Sequence, residues 1–145
     1  MTIKVGINGF GRIGRLVMRA ATEARRTDIQ VVGINDLGSV ASNAHLLKYD
    51  SVHGRFPHEI AVGSDSIDVG QGKIKVTAER DPSKLPWKEL GVDVALECTG
   101  IFTARDKAAA HQAAGAKRVL ISAPGEGVDL TVVYGVNHDK LAKDH

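Results

Sequence analysis

The sequence predicts an α/β domain: a mostly parallel sheet with helices on both faces and a small antiparallel insertion. Three observations predict it. A strand pattern at residues 3–7 runs directly into Gly9-x-Gly11-x-x-Gly14, and an apolar helical pattern follows at once. Near-continuous apolar runs at 29–35 and 92–98 have the character of parallel strands covered on both faces. Three short strand-like runs at 59–62, 66–69 and 73–78, separated by Gly63-Ser64-Asp65 and Gly70-Gln71-Gly72, read as antiparallel strands added at one edge of that sheet.

The composition narrows the function classes. A chain of 145 residues is one domain, residues 1–145, with enough length for a real core. Its 43% hydrophobic and 25% charged residues are ordinary for a soluble globular protein. A net charge of +2 argues against dedicated nucleic-acid binding. One cysteine excludes an internal disulfide and a multi-cysteine metal site, and fits a reducing cytoplasm. No charged leader precedes an apolar stretch, and no apolar run reaches membrane-spanning length. Neither a signal peptide nor a membrane partner is therefore expected.

Taken in order, the first strand, glycine turn and helix have the layout of a Rossmann-type dinucleotide-binding unit. Gly9 permits the tight turn out of the strand, Gly11 lets a pyrophosphate approach the backbone, and Gly14 lets the helix pack closely on the strand. The amide groups at the helix start, aided by the helix dipole, then face the phosphates. The pattern over 13–24 places Ile13, Leu16, Val17, Ala20, Ala21 and Ala24 on the buried face. Arg15 and Arg19 fall on the solvated side, and Arg12 sits inside the turn.

The second strand, 29–35, ends in Asn35-Asp36-Leu37-Gly38. Asp36 follows Gly14 by 22 positions, close to the ~20 at which an acidic residue binds the adenosine ribose. Its carboxylate would repel a 2′-phosphate, and Leu37 supplies no compensating charge, so NAD is favoured over NADP. The plainer alternative is that Asp36 only caps a turn.

Ser39 caps a helix over 40–49 with Ala44, Leu47 and Leu46 turned inward. Residues 50–57 read as a loop. His53, His58 and Asp50 match no metal-ligand spacing, and surface or interface roles suit them better. Trp87, in a turn-rich stretch, packs on the domain. The strand at 92–98 stops in Thr99-Gly100, at the sheet end where open α/β folds bind ligands. Thr103 caps a helix over 104–114 that Gly115 ends. Strands follow at 118–122 and 130–135, then a short helix at 139–145. Cys98 closes a buried strand beside Glu97, an environment that raises a thiol pKa, so it is not a nucleophile. His111, His138 and His145 take surface positions by default, which leaves no catalytic residue and no metal site in the chain.

Several motifs together resemble the glyceraldehyde-3-phosphate dehydrogenase family. They are Asn8-Gly9-Phe10-Gly11-Arg12-Ile13-Gly14-Arg15, Ile34-Asn35-Asp36, Leu46-Leu47-Lys48-Tyr49-Asp50-Ser51 with His53-Gly54-Arg55-Phe56, Glu97-Cys98-Thr99-Gly100, Gly115-Ala116-Lys117-Arg118-Val119, Ile121-Ser122-Ala123-Pro124 and Thr131-Val132-Val133-Tyr134-Gly135-Val136-Asn137. The resemblance runs along essentially the whole chain.

It implies NAD as cofactor. It also implies that Arg12 and Ile13 contact the pyrophosphate and Asp36 the adenosine ribose. Leu37 and Phe102 flank the adenine, and Arg80 lies near its edge. Thr99 and Gly100 line the cofactor path, and Ser122 sits towards the nicotinamide. Phe102 as core and Arg80 as a surface arginine stand as the plainer readings of those two residues.

The family oxidises glyceraldehyde 3-phosphate with NAD and inorganic phosphate through a cysteine nucleophile with a histidine partner. It does so as a homotetramer in glycolysis and gluconeogenesis. Its Asn-Ala-Ser-Cys-type sequence is absent from these residues, as are the substrate domain and the C-terminal helix that folds back on the nucleotide domain. The expectation is the first, NAD-binding domain alone, inactive by itself. Erythrose-4-phosphate dehydrogenase and a self-standing NAD-binding module that senses or carries the cofactor remain the alternatives.

Overall fold

The computed structural model describes residues 1–145. Strand β1 (Ile3–Asn8) leads through the glycine turn into α1 (Arg12–Glu23), then β2 (Ile29–Asn35) and α2 (Val40–Lys48). A two-residue hairpin, β3 (Tyr49–Asp50) with β4 (Gly54–Arg55), stands apart from the main sheet. It occupies part of the stretch expected to be loop. Next come β5 (Ala61–Val62), β6 (Ser66–Asp68) and β7 (Lys73–Thr77), α3 (Trp87–Leu90), β8 (Val94–Glu97), α4 (Arg105–Ala108), α5 (Ala110–Ala113) and β9 (Arg118–Ile121).

The main sheet has seven strands in the order β5-β6-β7-β2-β1-β8-β9. Strands β7, β2, β1, β8 and β9 run parallel, and β5 and β6 join antiparallel at the β7 edge. This is the predicted layout, insertion included.

Side chains alternate across the sheet, and each face has its own core. On one face Val5, Ile7, Ile34 and Val76 pack with Met18 of α1 and Ala44 and Leu47 of α2. On the other, Ala95 packs with Trp87, Val92, Leu85, Ala114 and Ala116. Trp87 is fully buried there, as predicted.

Four further elements differ more widely from the sequence reading. The first is the rotation of α1. Gly14, Met18, Arg19 and Thr22 are buried, whereas Ile13 (51% exposed), Val17, Ala20 and Ala24 face out. Gly14 decides this. A Cβ there would lie 2.1 Å from the Gly9 carbonyl oxygen, so this side of the helix must meet the strand, and residues four and eight positions on share it. Arg19 is consequently buried instead of solvated, and Arg15 is half-buried.

The second is the helix over 104–114, which is two single turns divided at Ala109. Thr103 does not cap it; Ala104 holds that position, and Thr103 accepts from the Glu126 amide through its backbone carbonyl. The third is the stretch 130–135, which forms no strand. There the Val133 amide donates to Asn137 Oδ1 and Asn137 Nδ2 donates to the Thr131 carbonyl, so side-chain bonds replace a sheet ladder. The fourth is the C-terminal helix, which shrinks to one 3₁₀ turn at His138–Lys140. Ser39 does cap α2, accepting from the Ser42 amide, but Leu46 is exposed.

Candidate functional site

The carboxyl ends of β1, β2 and β8 bring together the glycine turn, Asp36 and Thr99. Gly9 has φ +92°, and a Cβ there would lie 2.8 Å from the Thr99 nitrogen. Only glycine fits both constraints, the left-handed backbone and the close approach. Gly11 has open space where a Cβ would project. No side chain caps the start of α1, and its first turn carries no acidic residue. The amides there are free to donate to an anion, and no carboxylate in that turn competes with one.

Asp36 is held from two sides. One carboxylate oxygen accepts from the Phe10 amide at 3.0 Å, and the other from the Gly38 amide at 3.0 Å. The first bond ties the end of β2 to the glycine turn, so the carboxylate is fixed before any ligand arrives. Capping the turn and facing a ribose are thus compatible roles. Leu37 beside it is 56% exposed, an apolar surface without charge.

The other predicted residues divide. Arg12 and Ile13 begin α1, at the turn and exposed. The Arg12 guanidinium pairs with Asp50 at 2.6 Å. Amide bonds from His53 and Val52, and then Arg12, hold the Asp50 carboxyl down at about pKa 2. Thr99 and Gly100 follow β8 directly, and Gly100 has φ +76°. Ser122 follows β9, where its amide donates to the Glu97 carbonyl at 3.0 Å. Phe102 is half-buried, so it is not a core residue, and Arg80 is exposed beyond β7.

Sequence reasoning missed a buried polar chain beneath these turns. Asn35 Nδ2 donates to Asn8 Oδ1 (2.8 Å), Asn8 Nδ2 donates to Glu97 Oε1 (2.6 Å), and His111 Nε2 lies 2.9 Å from that same oxygen. Asn35 Oδ1 in turn accepts from the Thr77 hydroxyl and the Glu79 amide. The sequence alone places His111 at the surface, yet it is fully buried, as is Glu97 at 1% exposure. Burial works against the Glu97 charge, but bonds from His111, Thr99 and Asn8 outweigh it and lower the carboxyl pKa. The available signal was positional: Asn8, Asn35, Thr77 and Glu97 all stand at the last positions of neighbouring strands.

Residues 3–105 match the family model described as the NAD binding domain of glyceraldehyde 3-phosphate dehydrogenase. The chain belongs to that family. It is therefore an NAD-binding domain, with the Rossmann-type sheet described above. It is 72% identical over its whole length to glyceraldehyde-3-phosphate dehydrogenase of Xanthobacter flavus. To the proteins of that name from Cereibacter sphaeroides and Thermotoga maritima it is 66% and 56% identical, over 99% and 98% of the chain. The chain spans 43% of the length of each of these relatives.

The residues present fit NAD. Asp36 is pre-oriented, the α1 amides are uncapped, and Gly11 leaves room at the turn. No group of three or more His, Cys, Asp or Glu residues is placed to hold a metal ion. No helix is long and apolar enough to cross a membrane.

Cys98 is half-buried, and burial pushes its thiol pKa up; a Ser122 hydrogen bond offsets this in part, and the Glu97 charge adds to it. Such a thiol stays protonated and is a poor nucleophile.

Proposed function

We propose that the full-length protein carrying this chain oxidises glyceraldehyde 3-phosphate, with NAD and inorganic phosphate, to 1,3-bisphosphoglycerate. We place it in glycolysis or gluconeogenesis, in the cytoplasm and as a homotetramer. The observation that carries the reading is the Asp36 carboxylate, fixed by the Phe10 and Gly38 amides opposite the uncapped start of α1. The names of the relatives supply the substrate class.

In this reading the α1 amides at Arg12 and Ile13, with Gly9 and Gly11, hold the pyrophosphate. Asp36 accepts from the adenosine ribose hydroxyls, and Leu37 and Phe102 flank the adenine with Arg80 at its edge. Thr99 and Gly100 line the path towards the nicotinamide, and Ser122 lies on that side. NAD supplies the hydride acceptor. This chain's residues bind and orient it, and residues outside these 145 act on the substrate.

The 145-residue chain is then inactive by itself, because Cys98 is its only cysteine and is suppressed as a thiolate. The test is NADH formation from glyceraldehyde 3-phosphate, NAD and phosphate by the full-length protein and by the 145-residue chain. We expect turnover from the first and none from the second. No turnover by the full-length protein overturns the substrate assignment, and turnover by the short chain overturns the division of labour.

A further inference from the structure

His111 is a fully buried histidine on α5, on the sheet face away from α1, yet its ring reaches the cofactor end of the sheet through one residue. The Trp87 indole nitrogen donates to His111 Nδ1 at 2.9 Å. An indole N–H only donates, so Nδ1 must be the accepting nitrogen and Nε2 carries the proton. That proton points at Glu97 Oε1, 2.9 Å away. The other Glu97 oxygen accepts from the Thr99 amide (2.9 Å) and the Thr99 hydroxyl (2.6 Å). The hydroxyl oxygen accepts in turn from the Ile101 amide at 3.1 Å. One carboxylate therefore sets both the backbone and the side chain of the turn that presses on Gly9.

We propose that His111 is a positioning residue for NAD: through Glu97 it fixes the Thr99–Ile101 turn against the glycine turn. The inference rests on the placement of Thr99 along the cofactor path. Trp87 holds the His111 ring in the orientation whose Nε2 donates to Glu97. Glu97 stays a carboxylate that can accept from three groups besides His111. Removing the His111 donor leaves Oε1 with Asn8 alone, and the carboxylate is then free to turn away from Thr99.

The test is NAD affinity by calorimetry on the full-length protein, below the melting temperature of every variant. His111→Asn keeps a polar group beside Trp87 but stops short of Glu97, and is expected to bind NAD about tenfold more weakly, the worth of one hydrogen bond to a charged group. His111→Gln restores a donor to Glu97 and should return affinity to within about twofold. Val92→Ala, in the same core but off the chain of bonds, should lower the melting temperature and leave NAD affinity within about twofold.

The deciding measurement is the double variant His111→Asn with Thr99→Val. If His111 acts through Thr99, the pair binds NAD no more than about twofold more weakly than the worse single variant. Fully additive losses, or a Val92→Ala loss equal to that of His111→Asn, overturn the positioning role alone. A Thr99→Val variant with unchanged affinity overturns the placement of Thr99 as well.

Discussion

Gly6 on β1 and Gly33 on β2 are register partners, and the Trp87 indole lies across both. A Cβ on Gly6 would stand 2.8 Å from the ring, and one on Gly33 would stand 2.9 Å from it and 2.8 Å from Leu90. The two bare positions form the slot that lets a fully buried tryptophan lie flat on the sheet. The same tryptophan then orients His111. Backbone choice in two strands thus sets the geometry of a polar chain that ends at the Thr99–Ile101 turn.

Filling that slot destabilises the fold. Gly6→Ala and Gly33→Ala are each expected to cost about 1–3 kcal/mol through overpacking. Urea denaturation midpoints measure this, and an unchanged midpoint for both variants would remove the slot as an explanation.

Arg19 is 3% exposed, and its guanidinium donates to the carbonyls of Leu47, Lys48 and Gly54 while lying over the Phe56 ring. Those carbonyls belong to the end of α2 and the β3–β4 hairpin, so one side chain clasps α1 to that hairpin. Arg19→Met should cost about 2–4 kcal/mol, because it strips the buried Leu47 carbonyl of its guanidinium donors and removes the bonds to the Lys48 and Gly54 carbonyls. Arg19→Lys should recover only part of this, since an ammonium lacks the planar fork. Chemical denaturation of both variants checks the order; equal stability of Met and wild type would contradict the clasp.

Asp36 should govern cofactor choice. Asp36→Ala is expected to weaken NAD by about 1–3 kcal/mol through unpaired ribose hydroxyls. It should also narrow the preference for NAD over NADP, because the repelling carboxylate is gone. Titrations with both cofactors read the two effects separately, and an unaltered NAD affinity would falsify the ribose role.

Glu97 should shape the acid limb of stability. Its carboxyl pKa is lowered in the fold from the ordinary 4.5. A depressed carboxylate contributes stability that is complete above the unfolded-state pKa and is lost as pH falls through the folded value. Wild type should therefore lose melting temperature below about pH 4.5 more steeply than Glu97→Gln, and the gap between the two should be widest near neutral pH. Parallel melting curves for both proteins would show that Glu97 is not the group responsible.

The parallel sheet, its antiparallel edge and the glycine turn are legible because each rests on a local rule. Gly9 sits where φ is positive, Gly14 where a Cβ meets a carbonyl, and apolar runs mark strands covered on both faces. Asp36 is legible because strand length and crossover length set its distance from Gly14. The apolar run at 130–135 misled because a strand pattern makes a strand only where a neighbour pairs with it, and Asn137 takes those backbone groups instead.

The sequence by itself determined the sheet, the glycine turn and the acidic residue beside it, because chain geometry and side-chain period are properties of short segments. Tertiary structure alone decided that Ile13 and Val17 face out while Arg19 and His111 go in. Burial of a polar group depends on whether partners elsewhere in the chain satisfy it. The Leu47, Lys48 and Gly54 carbonyls do so for Arg19, and Trp87 and Glu97 do so for His111.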